Sequence, residues 1–414
     1  MEPSRLNRPG YLIAAMMIAC VFVFPQITRA QFYLQQNLVI NATTTEPNLD
    51  TSTTTTDPNL VNPWGMVQSS GSPFWVSKQG TNTSTLYNGQ GIPQPAGKPL
   101  IVNIPTVAGT PTGFPPNGPT GIVFNTSLAS SSPGFNLPGA KGAVPSVFIF
   151  ANLNGQISGW NPGSTAGPNT AIVEVDNSVT TPPPTTVYTG LAINATGSML
   201  YAANFNAGGG IQAFTSDWKS DTSLTFTDPN LPKGYEPYNV QDINGTLFAA
   251  YAIPGMRAPG IGPGLGAVAE FNETTGAFIK ELVGVKPANG LNAPWGMAMA
   301  PANWGKFGGD LLVGNFGSGW ISAYDPSTRN FLGYLDSSMN TPITDVAMWA
   351  LEFGTGGAGS HPNTLYITAG VDLAQDQGVM AAINPSPEPA TALLFAGGLL
   401  ALGFLFYRRH ATEA

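Results

Sequence analysis

Internal repetition decides how this chain is read. Asn62-Pro63-Trp64-Gly65-Met66-Val67 returns as Ala293-Pro294-Trp295-Gly296-Met297-Ala298. Weaker copies are Pro119-Thr120-Gly121-Ile122-Val123-Phe124 and Tyr188-Thr189-Gly190-Leu191-Ala192-Ile193, then Pro237-Tyr238-Asn239-Val240 and Met348-Trp349-Ala350-Leu351-Glu352-Phe353. The aligned positions 65, 121, 190, 239, 296 and 350 stand 49 to 69 residues apart, about 57 on average. A period of this order marks a repeat architecture.

Each copy is followed by a second apolar segment, such as Phe148-Ile149-Phe150-Ala151-Asn152, Leu200-Tyr201-Ala202-Ala203-Asn204 or Leu311-Leu312-Val313-Gly314-Asn315. A third segment opens on glycine in five units, as in Gly210-Ile211-Gln212-Ala213-Phe214 and Gly319-Trp320-Ile321-Ser322-Ala323-Tyr324. Short β-rich segments broken by Gly, Pro and Asn are strands joined by turns, and no long amphipathic helix competes. Six units of three to four antiparallel strands predict an all-β fold, a six-bladed β-propeller. The sixth unit runs out at Asn384 without its outermost strand. The isolated segment Gln35–Ile40 is expected to add to that blade and close the ring, which removes an exposed sheet edge. Thr43–Thr56 is then the loop into blade one.

The ends of the chain have a different character. Arg5 and Arg8, the apolar run Leu12–Phe24 and Thr28-Arg29-Ala30 read as a secretory signal peptide over residues 1–30. Its removal would take away Cys20, the only cysteine, so neither disulfides nor thiol chemistry is expected. Ala390–Tyr407 carries no charge, is long enough to span a bilayer, and is followed by Arg408 and Arg409. The positive-inside rule then places the propeller outside the cytoplasm. The predicted organisation is a signal peptide at 1–30, a propeller at 31–385, and a tail at 386–414 with a transmembrane helix at 390–407. Between the two ends, 10 basic residues face 20 acidic ones, which argues against nucleic acid as a partner. Charged residues are 9% of the chain, against about 25% in ordinary globular domains, so uncharged polar residues must supply solubility.

Conventional catalytic sets are missing from the sequence. His361 and His410 are the only histidines, and His410 lies beyond the apolar tail. A zinc site built on several histidines is excluded, as is any triad except one that uses His361, which sits in a Gly-rich loop. Gly208-Gly209-Gly210 lacks both a P-loop lysine and a following helix. No EF-hand loop is present. The residues just before the aligned positions are Trp64, Thr120, Thr189, Tyr238, Trp295 and Trp349. They begin the innermost strands, which puts them around one mouth of the central channel. Trp64, Tyr238, Trp295 and Trp349 are therefore candidate ligand-binding residues with faces suited to sugar rings, packing between blades being the alternative.

Two resemblances add to this reading. Pro387-Glu388-Pro389, the apolar run and Arg408-Arg409 resemble the PEP-CTERM sorting signal of exported bacterial proteins. That resemblance implies export machinery and an exosortase-type peptidase as partners, with release to the envelope or an exopolysaccharide matrix. The body, from about Asn37 to Ile383, resembles exported bacterial NHL-like propellers. It does so through Thr56-Asp57-Pro58-Asn59-Leu60-Val61-Asn62-Pro63-Trp64-Gly65, Thr227-Asp228-Pro229-Asn230-Leu231-Pro232 and Leu312-Val313-Gly314-Asn315-Phe316-Gly317. In six-bladed sugar-lactone hydrolases, amides and carboxylates around the axis hold a divalent ion. By that likeness Asn152, Asn204 and Asn315 are candidate calcium ligands, and turn-forming bonds to nearby backbone are the competing role. The expected function is a non-enzymatic binding or scaffold propeller of the cell envelope or extracellular matrix, with exopolysaccharide as a ligand and no required cofactor. The alternative is a divalent-metal hydrolase of the lactonase type.

Overall fold

The computed structural model describes residues 31–41, 55–106, 117–178, 186–255 and 259–386. Among them are six antiparallel sheets, the blades of a β-propeller. The innermost strands are Pro63–Val67, Pro119–Phe124, Tyr188–Ile193, Glu236–Ile243, Pro294–Met299 and Met348–Phe353. Each contacts the next, and the sixth returns to the first, so the ring is closed. Second strands such as Phe74–Lys78, Phe148–Asn152 and Leu311–Asn315 are buried at every residue. Each blade is sandwiched between two others, so its apolar run is continuous instead of alternating. Outermost strands such as Ile172–Asp176 and Phe331–Tyr334 are only partly buried.

The N-terminal strand Tyr33–Ile40 completes blade six by antiparallel pairing with Val379–Pro385. Gln35 stands opposite Ile383 and Ile40 opposite Val379, as the expected ring closure requires. Thr55–Thr56 then pairs in parallel with Val39 and Ile40. Two further contacts hold the closing strand. The Tyr33 hydroxyl accepts from Phe307 N at 3.1 Å and its ring lies 4.6 Å from that of Trp304. Gln35 Nε2 donates to Asp345 Oδ1 at 3.0 Å.

All six innermost strands share one irregularity. Where each pairs with its second strand, the register shifts at the repeated aromatic-glycine or equivalent pair. In blade one, Trp64 and Gly65 lie between the pairs Pro63–Lys78 and Met66–Val76, so two residues oppose Ser77 alone. Such a bulge re-aims the extra side chain. The glycine is needed because the neighbouring strand is close: a Cβ on Gly296 would lie 2.2 Å from the Trp349 carbonyl oxygen. In blade four Asn239 takes this place and donates from Nδ2 to the Trp295 carbonyl at 2.8 Å. In blade six the Thr368 hydroxyl bridges the gap, accepting from Ala350 N and donating to the Trp64 carbonyl at 2.6 Å.

The ends of the chain require a correction. Residues 1–30 and 387–414 lie outside the described residues, and with them the expected signal peptide and the tag residues Pro387, Glu388, Pro389, Arg408 and Arg409. Membrane attachment through a helix at 390–407 is not upheld: among the described residues no helix is long and apolar enough to cross a membrane. Their long apolar runs are strands, covered by neighbouring blades.

Candidate functional site

Four of the six bulges, those of blades one, four, five and six, turn large side chains onto the propeller axis. Trp64 and Trp349 stack with centroids 3.7 Å apart and planes at 19°. Trp295 meets both edge-on, at 6.2 and 5.9 Å, and Tyr238 meets Trp64 and Trp349 at 6.3 and 6.0 Å. Phe205 and Phe316 fill the flanks. The indole of Trp349 donates to Asn62 Oδ1 at 2.9 Å, and that of Trp295 donates to the Thr189 carbonyl at 3.0 Å. Trp64, Tyr238, Trp295 and Trp349 are thus brought together, yet none is more than 4% exposed. Their faces cover one another, so the cluster is a plug across the axis and not an open mouth. Burial holds the Tyr238 phenol well above its ordinary pKa.

On the far side of the plug the axis opens into a funnel of about 290 Å³. Every blade contributes to its lining, and Trp295 is its one contribution from blade five. Its wall is mostly apolar, with Val67, Ile122, Leu191, Ile193 and Val240. Two carboxyls interrupt it, Glu352 from blade six and Asp242 from blade four. Glu352 Oε1 accepts from Gln68 N at 2.8 Å, whereas Oε2 is shut off from solvent with no hydrogen-bond partner. Burial pushes the Glu352 pKa up to about 8, and the bond from Gln68 only partly opposes it. The Gln68 side chain is itself fixed, accepting from Thr355 and Ser360 and donating to the Ser72 and Gly357 carbonyls.

Asp242 accepts from Gly245 N at 2.8 Å, and burial is the main cause of its raised pKa. Beside it lies Glu273, whose pKa burial and the Asp242 charge both raise. One proton shared between them is the arrangement such a pair favours. The sequence reading passed over both funnel carboxyls. The available signal was a single acidic residue within Met348-Trp349-Ala350-Leu351-Glu352-Phe353, a strand otherwise free of charge.

The other candidates have local roles. Asn152 Oδ1 accepts from Gln156 N at 2.9 Å across the following turn. Asn204 Oδ1 accepts from Val187 N, and Asn315 Oδ1 accepts from Asn292 N at 2.8 Å. All three oxygens are engaged by backbone amides, and none of these residues lines the funnel. The described residues contain no group of three or more His, Cys, Asp or Glu able to hold a metal ion. His361 is exposed in its loop, where its backbone N donates to the Tyr366 hydroxyl at 3.3 Å.

The site therefore belongs to a six-bladed propeller with a plugged axis and an acidic funnel. An uncharacterised protein of Acanthamoeba polyphaga mimivirus is 28% identical over 320 residues, which covers 75% of this chain and 70% of that one. A second protein of the same virus is 28% identical over 281 residues, 65% of this chain and 67% of its own length. These relatives overturn the expected kinship with exported bacterial propellers, since they come from a giant virus. No family model matches the chain. Among solved structures, streptogramin B lyase superposes with a TM-score of 0.46 at 12% identity, over 86% of this chain and 99% of that one. The hydrazine synthase of Kuenenia stuttgartiensis does so with a TM-score of 0.43 at 13% identity, over 75% and 74%.

Proposed function

We propose that this protein is a non-enzymatic binding propeller whose ligand enters the axial funnel. The observation that carries the reading is the unpartnered Glu352 Oε2 in a concave, mostly apolar pocket to which all six blades contribute. Orphaned polar atoms in such surroundings cost free energy unless something binds them. A preformed concavity with few polar groups is the usual form of a small-ligand site. A polysaccharide stacked on Trp64, Tyr238 and Trp349 fits less well, because those ring faces already contact one another. The test is calorimetry or ligand-observed NMR with small neutral sugars, polyols, carboxylates and amines. Val67→Trp should fill the funnel from its half-buried wall position and abolish binding by a correctly folded protein. If ligands bind equally well to Val67→Trp and to a second filled variant, Val123→Trp, the site is elsewhere.

A further inference from the structure

Resting on the reading of the funnel as a binding site, we infer that its ligand is a small organic ammonium ion with an apolar body. Three features of the funnel converge on this class. The wall disfavours strongly hydrated ligands, because apolar side chains of blades one to four and the indole of Trp295 outnumber its polar groups, among them Gln68, Asn239 and Gln241. The two interrupting carboxyls, Asp242 and Glu352, come from the blades that flank blade five, so any anion entering the funnel would meet acidic groups on two sides. Glu352 is half-buried with its Oε2 turned away from solvent and lacking a donor, and an ammonium N–H supplies one once the side chain turns toward the funnel. A hard divalent cation would want six or more oxygen ligands. The described residues offer no cluster of even three acidic or imidazole groups for it.

Binding must also move a proton. In the empty funnel the neutral form of Glu352 is favoured, since burial has pushed its pKa up to about 8. When the ammonium docks, its N–H donates to Oε2, the carboxyl gives its proton to solvent, and a carboxylate-ammonium pair remains. Among the described residues, burial and the bond from Gln68 set the protonation of Glu352, with no charged partner beside it. Gln68 on blade one is neutral, Tyr366 pairs with Glu352 across the ladder, and His361 lies beyond it in an exposed loop. Around Asp242 the titratable neighbours are Glu273 and Tyr201.

The experiment uses n-butylammonium chloride, its neutral counterpart butan-1-ol and calcium chloride. Each is titrated into the wild-type protein, Glu352→Gln, Asp242→Asn and Val67→Trp. Butylammonium should bind the wild type at least roughly tenfold more tightly than butan-1-ol. Its affinity should rise by up to about tenfold per pH unit between pH 6 and 7.5, with one proton released, measured in buffers of different ionisation enthalpy. Glu352→Gln should remove that pH dependence and weaken binding, Asp242→Asn should weaken it with the pH dependence kept, and Val67→Trp should abolish it. If butan-1-ol binds as well as butylammonium and Val67→Trp blocks both, the funnel is a site but the ammonium class is wrong. Calcium that binds and displaces butylammonium also overturns the class. If no small molecule of any class binds the wild type, both the class and the funnel reading fail. Should Glu352→Gln not fold, proton release by the wild type decides, and its absence overturns the inference.

Discussion

Replacing Glu352 by Gln should stabilise the protein at alkaline pH and leave it unchanged at acid pH. The fold raises this carboxyl from an ordinary 4.5 to about 8. A raised folded-state pKa means that the folded protein binds the proton more tightly than the unfolded chain. Stability is then greatest below the unfolded value, falls as pH rises through the interval, and levels off above the folded value. At about 1.4 kcal/mol per pH unit, the interval sets an upper limit of about 5 kcal/mol. Water entry and relaxation around a half-buried group reduce this, so the expected gain for Glu352→Gln at pH 9 is roughly 2–4 kcal/mol. The amide keeps an oxygen for the Gln68 N–H, so below pH 5 the two proteins should differ by under about 1 kcal/mol. For the body Phe32–Pro385, an unfolding entropy near 2.1 cal/mol/K per residue converts the gain into about 3–5 °C. Calorimetric melts at pH 5 and pH 9 measure it. An equal shift at both pH values, or a loss of stability at pH 9, would refute the desolvated carboxyl.

Asp345 should behave likewise over a lower window. It is fully buried, its Oδ2 has no partner, and burial raises its pKa to about 6 despite the bond from Gln35. Asp345→Asn should therefore raise the melting temperature above pH 6 and have little effect near pH 4, as read from the same melts. Trp64→Ala removes the stacked centre of the plug and should cost about 3–5 kcal/mol in chemical denaturation. Removal of the chain through Ile40 would strip blade six of its closing strand and bare the edge at Val379–Pro385; the shortened protein should self-associate in sedimentation analysis.

The blade count could be read from the sequence because one physical problem recurs six times. Each innermost strand must bulge, bring a large or β-branched side chain toward the axis and let the next strand's backbone come close. Trp-Gly solves all three in blades one and five, so Trp64-Gly65 and Trp295-Gly296 stood out. Blade four solves the close approach with a donor, Asn239, and so gave a fainter copy. The spacing of 69 between positions 121 and 190 also has a cause, in part the extra hairpin Asn136–Leu137 with Val144–Pro145. Repetition in Thr56-Asp57-Pro58-Asn59 and Thr227-Asp228-Pro229-Asn230 encodes a turn, in which Asp57 and Asp228 accept from the backbone amides of Asn59 and Asn230. Asp57 also takes the Nζ of the fully buried Lys78 at 3.1 Å, a pairing that no spacing rule announces.

Sequence position placed Trp64, Tyr238, Trp295 and Trp349 around the axis but could not give their depth. A repeat specifies angle around a propeller; whether ring faces meet solvent or one another depends on how close the blades come. The carboxyls were missed for a related reason. Desolvation is a tertiary property, and Glu352 in a strand gives no local sign of whether it points to water or to five other blades.

The two ends of the axis also differ in symmetry, and that difference bears on function. At the plug, the residues before the aligned positions serve one packing task and are large or β-branched in every blade. Two residues past the aligned positions the six blades carry Val67, Val123, Ala192, Gln241, Ala298 and Glu352, and one residue further Gln68, Phe124, Ile193, Asp242, Met299 and Phe353. Ring closure makes the same demand on every blade, so it cannot explain a layer in which blade four is polar, blade six acidic and blades one and two aliphatic. A ligand on a six-fold axis has no such symmetry and meets each blade with a different part of itself. Where a repeat protein keeps its framework residues uniform and lets one layer of its concave surface vary, the varied layer is the part shaped by something other than folding. Here five blades give residues of that layer to the wall of the funnel, while blade five gives Trp295 instead and keeps Ala298 in the core.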